Sequence, residues 1–241
     1  MWLKFEKSGI GKLRNPALIV ALSTSIPQYR ALYSQAREVA KYMLAKKKFS
    51  QVATIFSSSF APEILVREDG VSVLPSCQIH LSRGKRDLLL LAGDSSPMDD
   101  QNRFAQLVLD YARESGVKEL YSVGARWSET PLSPDQDPEV NGFSTDKTGV
   151  TRLKKHGVKV LTEEPAPFFS SMVVGMAKAY GIRGYKLSVD HGEPSPHARS
   201  VVKILGTLST LAGFEVDLDE MKSQVSGAQP PKPLGDSTIY Q

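Results

Sequence analysis

The sequence has little of two things, cysteine and long apolar runs, and these scarcities exclude several classes of protein. Cys77 is the single cysteine among 241 residues, so no internal disulfide can form, and a lone thiol favours a reducing compartment. Apolar runs such as residues 88–92 are far shorter than the about 20 residues that span a bilayer. The first seven residues lack the apolar core of a signal peptide. We therefore expect a cytoplasmic protein with no membrane partner.

The sequence also lacks a concentration of charge of one sign. It has 30 Lys and Arg against 26 Asp and Glu, a net charge of +4. The basic residues are scattered, and the densest runs are 46–48 and 154–155. Proteins that bind nucleic acids usually concentrate basic charge on one face, whereas lysines at the ends of helices are solvated and favoured by the helix dipole. We therefore expect no nucleic-acid partner.

The alternation of apolar patterns predicts the fold class. Residues 16–22 form a continuous apolar run typical of a buried strand, the helical spacing after Pro27 predicts one helix over 27–46, and 51–57 reads as the next strand. A strand, a helix and a strand in succession predict a parallel βαβ crossover. Asp69-Gly70 between two short apolar segments predicts a β-hairpin over residues 63–74.

Further elements follow the hairpin. The patterns predict strands at 77–81, 87–92, 119–123, 158–161 and 185–189, helices at 97–115, 150–156, 168–180, 196–212 and 218–225, and a long loop at 126–149 with a short strand at 140–143. Gly116, Gly157 and Gly181 are expected to cap helices, and Asp217 to begin the last one. The sequence thus predicts one α/β domain over residues 1–225, a three-layer sandwich with a mostly parallel central sheet and a β-hairpin insertion. Residues 226–241 are rich in Gly and Pro, and we expect a flexible tail.

Motifs of catalysis are scarce. The G-x-S-x-G turn of hydrolases does not occur. Gly9-Ile10-Gly11-Lys12 resembles part of a phosphate loop, but Glu6 occupies the place of the first glycine and Leu13 that of the magnesium-binding Ser or Thr. The four histidines lack the close spacing of metal ligands; they are His80, His156, His191 and His197. We expect no metal and no cofactor.

Three polar segments leave two interpretations open. Asp190-His191-Gly192-Glu193 follows a predicted strand at the edge where α/β sheets bind ligands, so it is either an acid/base pair or a polar loop that enters a helix. Asp94-Ser95-Ser96 has the same position, with Ser96 a candidate turn or cap residue. Asp99-Asp100 could bind a cation or favour a first helical turn. We assign no catalytic residue.

Three stretches in a fixed order carry a family resemblance. They are residues 87–93 with Ser115-Gly116-Val117, residues 140–146 with 155–158, and residues 175–182 with 194–198 and 211–218. Together they resemble the proteasome assembly chaperone 2 family in its archaeal form, over about residues 16–225. The resemblance implies a fold like that of nucleoside phosphorylases, a role in assembly of the proteasome α ring, and a homo-oligomer. The chain departs from many relatives at residues 23–29 and 163–167, where a small ligand would otherwise be expected, and these departures weaken an enzymatic interpretation.

The last three residues gain meaning from this resemblance. Ile239-Tyr240-Gln241 matches the hydrophobic-Tyr-any motif of proteins that dock on the proteasome α ring. The match implies that Ile239 fills an apolar slot between α subunits, that Tyr240 is an aromatic anchor, and that the carboxylate of Gln241 pairs with a lysine. The leading hypothesis is a non-enzymatic chaperone that binds α subunits of the core particle. The alternative is an enzyme similar to a nucleoside phosphorylase or an ATP-dependent ligase, with a pocket near Gly93, Gly124 and Asp190.

Overall fold

The structure, a computed structural model, describes residues 2–26, 31–33, 35–60, 64–93, 96–127, 136–191 and 198–226. In chain order the elements of these residues are β1 (Leu3–Lys7), β2 (Ala17–Leu22), β3 (Thr24–Ile26), β4 (Ala31–Tyr33), α1 (Gln35–Lys46), β5 (Ser50–Ser57), β6 (Leu65–Val66), β7 (Ser72–Val73), β8 (Ser76–Ser82), β9 (Leu88–Gly93), α2 (Gln101–Glu114), β10 (Glu119–Trp127), β11 (Val140–Ser144), α3 (Lys147–Lys155), β12 (Lys159–Val160), α4 (Phe169–Ala177), a 3₁₀ turn (Lys178–Tyr180), β13 (Arg183–His191), α5 (Ala198–Ala212) and α6 (Asp219–Ser226).

A mixed sheet forms the middle layer. In the described part of the chain it has nine strands in the order β1-β5-β8-β9-β2-β10-β13-β11-β12 and is not closed. The four central strands β9, β2, β10 and β13 are parallel, whereas β8, β5 and β1 on one side and β11 on the other continue it antiparallel. The prediction of an α/β fold with a sheet that is mostly parallel in its centre is confirmed.

Strand β2 shows why the sheet needs helices on both faces. Its six residues are all buried, with Ala17, Ile19 and Ala21 in the core beneath α1 and α5, and Leu18, Val20 and Leu22 in the core beneath α2 and α4. A strand that is covered on both faces is apolar at every position, because alternate side chains point to opposite faces. The continuous apolar run in the sequence follows from this three-layer arrangement.

The region after β2 differs from the prediction of one helix over residues 27–46. β3 and β4 pair antiparallel, with Thr24 opposite Tyr33, and α1 begins only at Gln35. Thr24, Ile26 and Tyr33 are β-branched or aromatic residues, which suit a strand. The predicted parallel crossover is confirmed in direction. β5 runs in the same direction as β2, but β8 and β9 lie between them.

Two further boundaries differ. The predicted loop at 126–149 begins late, because Arg126 and Trp127 continue β10 in register with Asp190 and His191 of β13. Helix α2 begins at Gln101 instead of residue 97, and the preceding Asp100 has a left-handed backbone with φ of 46°. The predicted hairpin is confirmed, since β6 pairs with β7 around Gly70, whose φ is 80°.

Candidate functional site

Polar side chains meet where β10 and β13 end. Arg126 Nη1 donates to both carboxylate oxygens of Asp190 at 2.9 Å, and Arg126 Nη2 donates to Glu164 Oε2 at 2.9 Å. Asn141 Nδ2 of β11 donates to Asp190 Oδ1 at 2.9 Å. Asp190 and Glu164 raise the pKa of the Arg126 guanidinium by accepting these hydrogen bonds. Asp190, which was a candidate acid/base, is therefore the acceptor of an ion pair and an amide hydrogen bond.

A buried amine lies nearer the middle of β13. Lys186 of β13 is only 4% exposed, and its Nζ donates a hydrogen bond to Ser170 Oγ of α4 at 3.1 Å. Burial lowers the pKa of Lys186 to about 7. Lys186 is not recognisable as a site residue from the sequence, because a lysine in a predicted strand is usually placed at a solvent-facing position. The available signal was its place between Tyr185 and Leu187 in an apolar strand.

Gly124 of β10 makes room for this amine. A Cβ atom at position 124 would overlap Lys186 Nζ and would come within 3.0 Å of Ser170 Oγ. Any side chain larger than hydrogen would therefore displace the lysine. Gly124, a predicted pocket residue of the alternative enzymatic hypothesis, lies against the buried amine of Lys186.

A cavity of about 260 Å³ lies beside Lys186, under the segment at residues 164–168. Phe168 on its rim has φ of 76° and ψ of 155° and is 40% exposed. This backbone conformation costs a non-glycine residue about 1–3 kcal/mol and occurs mainly where the surroundings enforce it. The lining consists of Arg126, Phe143, Leu161, Glu164, Pro165, Ala166, Pro167, Phe168, Ser171, Lys186 and Ser188.

A different cluster of charges lies at the start of β10. Glu119 Oε2 accepts hydrogen bonds from Arg86 Nη2 at 2.7 Å and from the Tyr121 hydroxyl at 2.9 Å, and Arg152 pairs with Oε1. Burial by itself would raise the pKa of Glu119, but Arg86, Tyr121 and Arg152 together hold it below its usual value. Further donors of the arginines bond backbone carbonyls of Ala212 and Leu211. This cluster joins α3, α5 and the sheet and has the character of a structural network.

The hairpin of β6 and β7 carries apolar side chains on its surface. We call residues 64–74 the hairpin arm. Ile64, Val66, Val71 and Leu74 are 57%, 59%, 49% and 51% exposed. Single exposed apolar residues are normal, but several within one short arm form a patch of the kind that contacts other proteins.

The other residues that the sequence suggested as site residues are either outside the described residues or in structural roles. Ile239, Tyr240 and Gln241 fall outside the described residues, as do Asp94, Ser95, Gly192 and Glu193. Ser96 bonds the carbonyl of Ser23 through both its backbone N (2.8 Å) and its Oγ (2.6 Å), which is a turn role. Gly93 packs against Cys77, whose Sγ would lie 2.7 Å from an added Cβ.

The described residues offer neither a metal cluster nor a membrane-spanning helix. Within those ranges, His, Cys, Asp and Glu side chains form no group of three or more that could hold a metal ion. None of the described helices combines the length and the apolar character that crossing a membrane requires.

Comparisons with proteins of known structure place the fold. Pyrococcus furiosus PbaB, described as an archaeal proteasome activator, matches with a TM-score of 0.78 and 17% identity, over 93% of this chain and 94% of that one. Pyrococcus furiosus PbaA, described as an archaeal homologue of proteasome-assembly chaperone, matches with a TM-score of 0.70 and 17% identity, over 93% and 92%. A Mycobacterium tuberculosis proteasome-assembly chaperone homologue matches with a TM-score of 0.72 and 15% identity, over 87% and 91%.

Sequence comparisons agree with the structural ones. An uncharacterised protein of Methanocaldococcus jannaschii is 19% identical over 196 residues, which is 80% of this chain and 75% of that protein. The model of the PAC2 family matches residues 36–228, which include the sheet from β5 onward and all six helices of the described residues except the first residue of α1. The chain therefore belongs to the PAC2 family.

Proposed function

We propose that this protein is a cytoplasmic, non-enzymatic assembly factor of the proteasome that binds α subunits of the core particle through Ile239-Tyr240-Gln241. The observation that carries the proposal is the PAC2 family match over residues 36–228, joined to a C-terminal hydrophobic-Tyr-any sequence. The similarity in fold to a proteasome activator and to homologues of proteasome-assembly chaperones supports it.

The three terminal residues divide the binding between them. Ile239 buries its side chain in an apolar slot between neighbouring α subunits, and Tyr240 adds a large rigid ring whose hydroxyl finds a hydrogen-bond partner. The terminal carboxylate of Gln241 pairs with a lysine of the pocket, and hydrogen bonds between charged groups are stronger than neutral ones. Removal of Tyr240 should therefore weaken binding most among single side-chain changes.

A tether connects this motif to the folded body. Helix α6 ends at Ser226, and residues 227–238 separate it from Ile239. The composition of this segment, rich in Gly and Pro, predicts a flexible linker, and about a dozen such residues span on the order of 20 Å. The motif can therefore enter a pocket beside the folded body without displacing it.

A homo-oligomer would strengthen a weak single anchor. The second tail binds at a high effective concentration once the first is docked, so several tails on one assembly gain affinity without new contacts. The hairpin arm offers an apolar surface through which copies of the chain associate, because its exposed side chains would leave water on contact. Replacement of Val66 and Leu74 by Glu should shift sedimentation toward the monomer, and an unchanged sedimentation coefficient would remove the arm from the interface.

A binding experiment tests the docking role. Immobilised core particles or α subunits are incubated with the full chain, with a chain that lacks residues 239–241, and with Tyr240→Ala. Thr238→Ala is the matched control, because it changes the tail beside the motif. We expect the full chain and the Thr238→Ala chain to be retained and the other two to be lost. Equal retention of all four chains would refute docking through the motif.

A further inference from the structure

We propose that the cavity beside Lys186 binds a small, largely apolar molecule that carries a carboxylate, and that the Lys186 amine pairs with that carboxylate. This inference goes beyond the proposed docking role, since it concerns the folded body and not the tail. It rests on a buried amine with no carboxylate partner among the described residues, on a lining of matching chemistry and on the polar surroundings of the amine.

Lys186 lacks a counter-charge among the described residues. Lys186 Nζ donates to the neutral Ser170 hydroxyl, and among the described residues no carboxylate oxygen lies within 4 Å of it. A buried ammonium group without a counter-charge is costly, so a protein normally pairs it or replaces it with an apolar residue. Because burial lowers the pKa of Lys186 to about 7, the amine is about half protonated at neutral pH. An anionic ligand would supply the missing charge and favour the protonated form.

The polar groups that line the cavity suit a carboxylate. The charged members of the lining are Lys186, Arg126 and Glu164, and Asp190 lies beside Arg126 at the cavity mouth. Arg126 is bonded to both Asp190 and Glu164, so Lys186 is the cation of the described lining that has no carboxylate partner there. Ser188 of the lining adds a hydroxyl that can donate to a carboxylate oxygen.

The remaining walls are apolar. Phe143, Leu161 and Phe168 face the cavity together with prolines of the segment above it. Sites for small molecules commonly combine such walls with a few polar groups that fix orientation. The cavity of about 260 Å³ corresponds to about nine water molecules at about 30 Å³ each. Benzoate has about the same number of non-hydrogen atoms and is therefore a suitable probe.

The residues around the Lys186 amine leave space for it and keep polar groups nearby. Gly124 leaves the space that the amine occupies. Ser122 is in register with Lys186 on the neighbouring strand and is fully buried, and its Oγ has no hydrogen-bond partner among the described residues. The strained backbone of Phe168 holds its ring at the rim. A fold that only needed to fill this volume would place apolar side chains at 122 and 186, whereas this one keeps polar groups there.

The test uses the whole chain and two probes of equal size. Benzoate and benzamide differ in charge but hardly in shape, so isothermal titration calorimetry of both isolates the role of the carboxylate. We expect benzoate to bind at least tenfold more tightly than benzamide at pH 6, and Lys186→Met to abolish this preference. Lys203→Met is the control, because Lys203 is an exposed lysine paired with Asp137. Equal affinity for both probes, or no benzoate binding at millimolar concentration, would overturn the proposal.

A second measurement keeps the test independent of the variant's folding. With the unmodified chain, benzoate affinity should fall about tenfold between pH 6 and pH 8, because protonated Lys186 decreases from about ten elevenths to about one eleventh around a pKa of about 7. The other groups that face the amine are the hydroxyls of Ser170 and Ser171 from α4 and of Ser188 from β13, and the charged Arg126, Glu164 and Asp190 lie at the cavity mouth. Affinity that is constant across this range would contradict pairing with Lys186. Binding should be unchanged in the chain without residues 239–241, so failure of the docking role leaves this result intact.

Discussion

Two charged groups of the central sheet treat burial in opposite ways. At the start of β10, the partly buried Glu119 is matched by Arg86 and Arg152, and the donors of these arginines also reach backbone carbonyls. In the middle of β13, Lys186 is more deeply buried but bonds only a serine hydroxyl among the described residues. A buried charge that is fully paired avoids most of the cost of burial, whereas one without a counter-ion reduces stability. The difference separates a structural cluster from a candidate ligand site.

The largest effect on stability is expected at the Glu119 cluster. Glu119→Gln keeps the size of the side chain but removes the charge that Arg86 and Arg152 share, so two partly buried arginines lose their counter-ion. We expect the free energy of unfolding to fall by about 3 kcal/mol, as when one partner of a buried pair is removed. Urea unfolding measures this change. Glu139→Gln is the control, since its pair with Lys159 is exposed and should contribute less than about 1 kcal/mol. Equal losses in the two variants would show that the Glu119 cluster is not a structural network.

The next effect is the dependence of stability on pH through Lys186. The pKa of Lys186 is about 7 in the folded chain and near its ordinary value of about 10.4 in the unfolded chain. Between these values the unfolded chain binds more protons, so the free energy of unfolding rises with pH. Relative to Lys186→Met, the unmodified chain should gain about 2 kcal/mol of stability from pH 7 to pH 9. Urea unfolding of both chains at the two pH values checks this, and parallel pH profiles would mean that Lys186 titrates as it does in water.

The smallest effect concerns the glycine that accommodates the amine. Gly124→Ala places a Cβ against Lys186 Nζ and Ser170, so we expect a loss of about 1 kcal/mol from overpacking, because Nζ is the far end of a flexible side chain. Gly175→Ala in α4 is the matched control, because nothing lies within 4 Å of its added Cβ, and it should stabilise the helix by up to about 1 kcal/mol. Thermal unfolding should therefore show a lower melting temperature for Gly124→Ala and a higher one for Gly175→Ala. A stabilising Gly124→Ala would show that the space beside Lys186 is larger than the contacts indicate.

Much of the fold could be predicted from the sequence because local patterns determine it. The buried strands β2 and β9 are apolar at every position, and Gly116, Gly157 and Gly181 adopt the positive φ of helix ends. The order of strands in the sheet could not be predicted, since β5 pairs with β8 and not with β2, and such pairings depend on contacts distant in sequence. The start of α1 was misplaced because apolar residues between 24 and 33 fit either a strand or a helix.

The candidate site was harder to predict than the fold. The sequence predicts a loop at Arg126, because polar residues follow it. Arg126 belongs to β10 because it pairs with Asp190 of β13, and this pairing cannot be read from the local sequence. Lys186 has no motif around it, and its importance comes from burial beneath α4, which is a property of packing. The docking motif shows the reverse case. Ile239, Tyr240 and Gln241 are recognisable from sequence alone and lie outside the described residues.

The affinity of the chain for the proteasome core particle tests the central claim most directly. Surface plasmon resonance would compare the full chain with the chain that lacks residues 239–241, at equal oligomeric state as checked by sedimentation. We predict that deletion raises the dissociation constant at least tenfold, because the apolar slot, the aromatic anchor and the carboxylate contact are lost together. Equal dissociation constants for the two chains would contradict docking through the C-terminal motif.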